Sequence, residues 1–176
     1  STYIGGVNYE NDFTNTIAIH GTGANTQVFI VGDTARSLPI GAMKDALNNN
    51  PNTLDLNPDP DEKIFTFGPL SSDSGDDVYI ARFNRDLQTA AATIIGGSDH
   101  DPCPFISLSD EGDVYFTAST YSEDFPTTSG AFATAGTVVM GKISNDLTQM
   151  LGSTYLGSYN DWENYSHIIV DDTSGY

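Results

Sequence analysis

The chain has 176 residues, about one domain by length, with 38% hydrophobic and 17% charged residues, both below the usual share. Twenty-four Asp and Glu stand against six Lys and Arg, a formal charge of −18, so the chain has little to offer nucleic-acid phosphates or an anionic membrane surface. No apolar run approaches the ~18 residues that read as a spanning helix, and the lone Cys103 excludes an internal disulfide and any cysteine-based zinc or haem site.

Short runs rich in Val, Ile, Tyr, Phe and Thr, bounded by Gly, Asn and Asp, read as strands. In chain order they fall at 1–5, 16–20, 27–32, 77–83 and 89–95, then at 104–108, 113–119, 137–143 and 151–156, with another beginning near 166. The one helical expectation is a turn or two around 42–47.

The strands repeat. Asp77-Val78-Tyr79-Ile80-Ala81-Arg82-Phe83-Asn84-Arg85-Asp86-Leu87 matches Thr137-Val138-Val139-Met140-Gly141-Lys142-Ile143-Ser144-Asn145-Asp146-Leu147 at an offset of 60. Val28-Phe29-Ile30-Val31 matches Val114-Tyr115-Phe116-Thr117 at an offset of 86. Ile17-Ala18-Ile19 aligns with Ile106-Ser107-Leu108 and Ile168-Ile169-Val170, and Thr93-Ile94-Ile95-Gly96-Gly97 with Thr154-Tyr155-Leu156-Gly157-Ser158. The unit is about 60 residues, and the first copy carries roughly 27 extra within 40–75.

Four short antiparallel strands per repeat is the make-up of a β-propeller blade; a β-sandwich is the other all-β reading. The expected division is 1–6 as the last strand of a preceding blade, 7–97 as a blade with an inserted loop at about 40–75, 98–158 as a second blade, and 159–176 as the start of a third. About two full blades and two flanking pieces cannot close a ring, so the chain is expected to be part of a larger propeller or to close by oligomerisation.

Three stretches carry a family resemblance: Asp113-Val114-Tyr115-Phe116-Thr117-Ala118, Ser122-Glu123-Asp124-Phe125-Pro126-Thr127-Thr128-Ser129-Gly130-Ala131-Phe132 and Ser153-Thr154-Tyr155-Leu156-Gly157. The second repeat resembles the SBBP-type β-propeller repeat over nearly its whole length, the first at its strands only. The resemblance implies an extracellular or cell-surface protein of bacteria or archaea, often large and multi-domain, with no family-wide catalytic residues.

Blade topology would put the long connections (5–15, 33–76, 96–103, 119–136, 157–165) on one face and the short ones (110–112, 145–148) on the other. Long loops on a rigid scaffold are where binding residues concentrate. In these loops Tyr159, Trp162, Tyr165 and Tyr121 are candidates for stacking on a sugar ring or anchoring a partner. Packing between blades is the competing reading for loop aromatics.

Asp55, Asn57, Asp59 and Asp61 set oxygens at alternate positions, like the opening of a calcium loop, but lack the Gly at the sixth position and the Glu at the twelfth. Asp99 and Asp101 belong to a series of acidic positions, with Asp12 and Glu163, each placed before an equivalent strand. Such acids either coordinate calcium or cap turn amides and keep the rim soluble. Ser71-Ser72-Asp73-Ser74-Gly75-Asp76-Asp77-Val78 resembles a sialidase-type Asp-box without its closing aromatic, and reads as a turn.

Catalysis finds no support in the sequence. His20, His100 and His167 are isolated, and no Gly-x-Ser-x-Gly, His-Glu-x-x-His or phosphate-cradling loop is present. The expectation is a non-catalytic interaction or structural module, with a glycan-binding propeller as the alternative and a propeller hydrolase as a weaker one. Expected partners are proteins, further blades or a glycan, and the expected cofactor is none, or calcium.

Overall fold

The computed structural model describes residues 13–35, 65–71, 75–87, 89–157 and 166–171. Among the described residues the architecture is all-β: nine strands in two sheets, with a single 3-10 turn at Gly23–Asn25. The first sheet holds β1 (Phe13–His20), β2 (Gln27–Ala35), β4 (Asp76–Asn84) and β5 (Thr89–Ile95) as an antiparallel meander. The second is β6 (Phe105–Leu108), β7 (Val114–Ser119), β8 (Val138–Ile143) and β9 (Met150–Leu156), side by side in chain order.

β3 (Phe65–Phe67) was not foreseen: it lies inside the segment read as an inserted loop, and pairs parallel to the outer edge of β5. Gly96 N–H donates to the Phe67 carbonyl at 3.1 Å and the Thr93 hydroxyl to the Phe65 carbonyl at 3.0 Å. The second sheet covers its own outer edge with the loop 128–133: Thr128 N–H donates to the Ser153 carbonyl, and Tyr155 N–H to that of Ala133. A bare edge would offer its ladder groups to any passing strand.

The two sheets pack face to face. Phe29, Val31, Val78, Ile80 and Ile95 project from the first sheet, and Ile106, Val114, Phe116, Ala118, Val139, Ile143 and Tyr155 from the second, into one buried core. Full burial of such side chains stabilises by about 1.5–3 kcal/mol each. Alternate residues of the first sheet (Val28, Ile30, Tyr79, Ala81, Phe83, Ile94) form a second buried cluster with Leu70 on the opposite, rear face.

The repeat is structural as well as sequential. Each sheet carries a register shift at the same place, between Arg82 and Phe83 and between Lys142 and Ile143. Each then turns through a leucine in left-handed backbone conformation, Leu87 (φ 58°) and Leu147 (φ 61°). The N–H of each bonds back three residues, to Asn84 and Ser144.

Residues 166–170 form no ladder where a strand was expected. The segment rests instead on the outward face of the second sheet. The Thr117 hydroxyl donates to the Ser166 carbonyl at 2.9 Å, Val170 N–H donates to the Ser107 hydroxyl at 3.0 Å, and the His167 ring lies 3.9 Å from that of Phe105. Side-chain hydroxyls take the backbone groups that a neighbouring strand would take. The expected strand at 1–5 and helical turn at 42–47 lie outside the described residues.

Candidate functional site: the long-loop end

Short turns gather at one end of the sheet pair and long connections at the other. At the short-turn end, Arg82 Nη1 crosses from the first sheet to the Asn145 carbonyl (2.8 Å) and Oδ1 (2.9 Å). Asn145 Nδ2 in turn donates to the Gly112 carbonyl and Gln27 Oε1, and His20 Nε2 bonds the Asp110 carbonyl oxygen at 2.9 Å. His20 therefore has a structural partner at a strand end.

At the long-loop end, the linker 96–104 between the sheets is fastened to both by carboxylates. Asp101 is fully buried. Its Oδ1 accepts the Thr120 hydroxyl at 2.5 Å, and its Oδ2 accepts Gly97 N–H at 2.6 Å and the Ser122 hydroxyl at 3.1 Å. Its own N–H donates to the Asp76 carbonyl of the first sheet at 2.6 Å. Burial pushes the Asp101 carboxyl up to about 6, against the lowering effect of these three donors.

Two further carboxylates extend the fastening. Asp124 Oδ1 accepts the backbone N–H and the hydroxyl of Ser98, at 2.8 and 3.0 Å. Asp33 Oδ2, at the end of β2, accepts Cys103 N–H at 2.9 Å, while its Oδ1 is buried with no hydrogen-bond partner among the described residues. Burial pushes the Asp33 carboxyl above its ordinary value, and nearby Asp76 adds to this. The Cys103 thiol is likewise pushed up by burial, then by Asp33 and Asp76, which disfavours the reactive thiolate.

The family-resembling stretches meet at this end. Tyr155 is buried, and its hydroxyl accepts Phe125 N–H at 2.8 Å and donates to the Ser122 carbonyl at 2.7 Å. Its ring stands edge-on to Phe125 with centroids 6.4 Å apart. Phe125 thus packs in the core between the sheets.

Of the candidates read from sequence, Tyr159, Trp162, Tyr165, Asp55, Asn57, Asp59 and Asp61 lie outside the described residues. Tyr121 is exposed, edge-on to His100 at 6.4 Å. Asp99 is exposed, with Oδ1 accepting the His100 N–H at 2.8 Å, while Asp99 N–H donates to the Ser122 hydroxyl. Asp101 points inward, so the two aspartates, though adjacent in the acidic series, do not present their oxygens to one space. Asp101 accepts the Gly97 N–H and Asp99 that of His100. Among the described residues no group of three or more His, Cys, Asp and Glu is placed to hold a metal ion.

Sequence reasoning missed Asp33, Thr120, Ser122 and Asp124 as parts of this node. Their signal is weak: Thr, Ser and Asp at strand ends and in turns are common everywhere, and only the return of the chain brings 33, 101, 120 and 124 together.

Comparison with protein-family models and with curated proteins returns no match to this chain.

Proposed function

We propose that this chain is a non-catalytic structural and interaction module, built from consecutive β-propeller blades of the SBBP type. In this reading it is a sector of a larger extracellular or cell-surface assembly, and its long-loop end meets protein partners. One observation carries the reading. In the second sheet, Ile106 and Leu147 are buried and Leu108 packs beside them, all against the first sheet. The repeat-equivalent residues of the first sheet are Ile17, Ile19 and Leu87, and they are exposed by 63%, 66% and 42%. The first sheet therefore presents, along β1 and the Leu87 turn, the same apolar positions that its neighbour uses to dock.

The opposite end of the stack supports it. Arg82 reaches from the first sheet to the next sheet's Asn145. Its equivalent, Lys142, stands on the outward face of the second sheet and folds back to Asp113 at 2.9 Å and over the Tyr115 ring at 5.1 Å. Beside it, Tyr115, Met140, Lys142 and Thr154 line a shallow depression of about 250 Å³, with Phe132 exposed at its rim.

Hydroxyl-radical footprinting tests the reading on the native assembly and on this chain alone. Ile17, Ile19 and Leu87 are expected to be protected in the assembly and reactive in the chain, with Leu147 protected in both. Equal reactivity of Ile17 and Ile19 in the two preparations would overturn the proposal.

A further inference from the structure

We propose that Asp101 is a proton-operated latch: protonated, it clamps the inter-sheet linker to the Thr120–Ser122 loop, and ionisation loosens both loops at the long-loop end. The geometry accommodates the proton. The Asp101 Oδ1–H can donate to Thr120 Oγ1 across the 2.5 Å contact. The Thr120 hydroxyl then turns its own hydrogen towards the Ser122 carbonyl at 3.4 Å, while still accepting Ser122 N–H at 3.0 Å. Oδ2 keeps its two donors, Gly97 N–H and the Ser122 hydroxyl. Both Asp101 oxygens and the Thr120 and Ser122 hydroxyls are satisfied in the protonated form.

Among the described residues the ionised form has no counter-charge. Asp124 faces the node from beyond β7, and Asp99 and His100 flank Asp101 in the linker. From the first sheet come Asp76, Asp77 and, at the end of β2, Asp33. A Cβ on Gly96 would stand 2.0 Å from Asp77 Oδ1 and 3.0 Å from Asp101 Oδ2, so the two carboxylates crowd the same glycine. His100 faces Asp76 at 3.6 Å rather than Asp101, and among the described residues no Lys or Arg forms an ion pair with Asp33, Asp76, Asp101 or Asp124. A buried anion without a cation is costly, and opening the loop to water relieves the cost.

The loops that would loosen carry Ser98, Asp99, His100, Tyr121 and Asp124, which are joined to one another across the node. Acidity would therefore set the shape of the end proposed to meet partners, whatever that end binds.

The folded chain holds the proton more tightly than the open one, so the latch is complete below the ordinary carboxylate range and is lost as pH rises through about 6. Native-state hydrogen exchange on the full chain tests it. After correction for intrinsic rates, protection of the Gly97, Asp101 and Ser122 amides is expected to rise roughly tenfold from about pH 7.5 to about pH 5. In Asp101→Asn the same amides are expected to show no such rise. Should that variant fail to fold, the carbon chemical shift of the Asp101 carboxyl in the unaltered chain reports its titration directly. Protection that is flat with pH, an unchanged rise in Asp101→Asn, or a carboxyl midpoint in the ordinary aspartate range would each overturn the latch.

Discussion

At the residue scale, equivalent places in the two sheets carry complementary sizes, on the rear face of the first sheet and, in the second, on the face turned to the core between the sheets. Ile30 pairs with Ala81 in the first sheet, and Phe116 pairs with Gly141 in the second. The larger ring occupies the space the missing methyl leaves: a Cβ on Gly141 would stand 2.3 Å from the Phe116 ring. Gly141→Ala is expected to destabilise by about 1–3 kcal/mol through overpacking. Combined with Phe116→Ile, which recreates the first sheet's pair, it should cost much less than the sum of the two single changes, a coupling that a double-mutant cycle by urea unfolding would read. Tyr155→Phe keeps the ring and removes the hydroxyl that serves Phe125 N–H and the Ser122 carbonyl. Leaving the buried Phe125 N–H unpaired, and the Ser122 carbonyl with only the longer Thr120 contact at 3.4 Å, is expected to cost about 1–3 kcal/mol in the same measurement.

At the element scale, the strands of both sheets were legible because β-branched and aromatic runs stood between Gly, Asn and Asp, and because they recurred in order. The structure adds to each repeat a bulge and a left-handed leucine, which single residues do not announce: leucine is an unusual choice for positive φ. β3 was not legible because three residues, Phe65–Phe67, carry too short a pattern, and their strand character comes from the edge of β5 beside them. The expected strand at 166 has the right residues but pairs with no strand among the described residues, so its composition did not decide its structure. The two turns make opposite predictions for the same change. Leu87→Gly relieves the left-handed backbone at a side chain that is 42% exposed, and is expected to be neutral or stabilising by up to about 1 kcal/mol. Leu147→Gly relieves the same backbone but empties a fully buried position between the sheets, and is expected to destabilise by about 2–4 kcal/mol. Thermal unfolding of the two variants side by side reads the difference; equal effects would mean that the turns are not energetically equivalent in backbone.

At the scale of the whole molecule, the formal charge of −18 and the buried carboxylates respond to different variables. Carboxylates on the surface repel one another through water, and added salt screens that repulsion over a Debye length of about 10 Å at 0.1 M. Raising NaCl from about 0.02 to about 0.5 M is therefore expected to raise the melting temperature at pH 7.5, by several degrees for a domain of this size. Asp101 is out of reach of that screening, because its carboxylate is enclosed by Thr120, Ser122 and Gly97 and the energy at stake is desolvation. The site was only half legible for the same reason: the sequence shows where acids are abundant, but whether a given Asp faces water or protein depends on distant segments, for Asp101 on Thr120 and Ser122, 19 and 21 residues further on. The separation of the two effects is measurable. Melting temperatures collected against salt at several pH values should show a salt response shared by the unaltered chain and Asp101→Asn. A pH response between about 4 and 7 that persists in high salt should be clearly larger in the unaltered chain than in Asp101→Asn, where the buried Asp33 carboxyl still contributes. A pH response that high salt abolishes would place the titration on the surface and not at the junction of the two sheets.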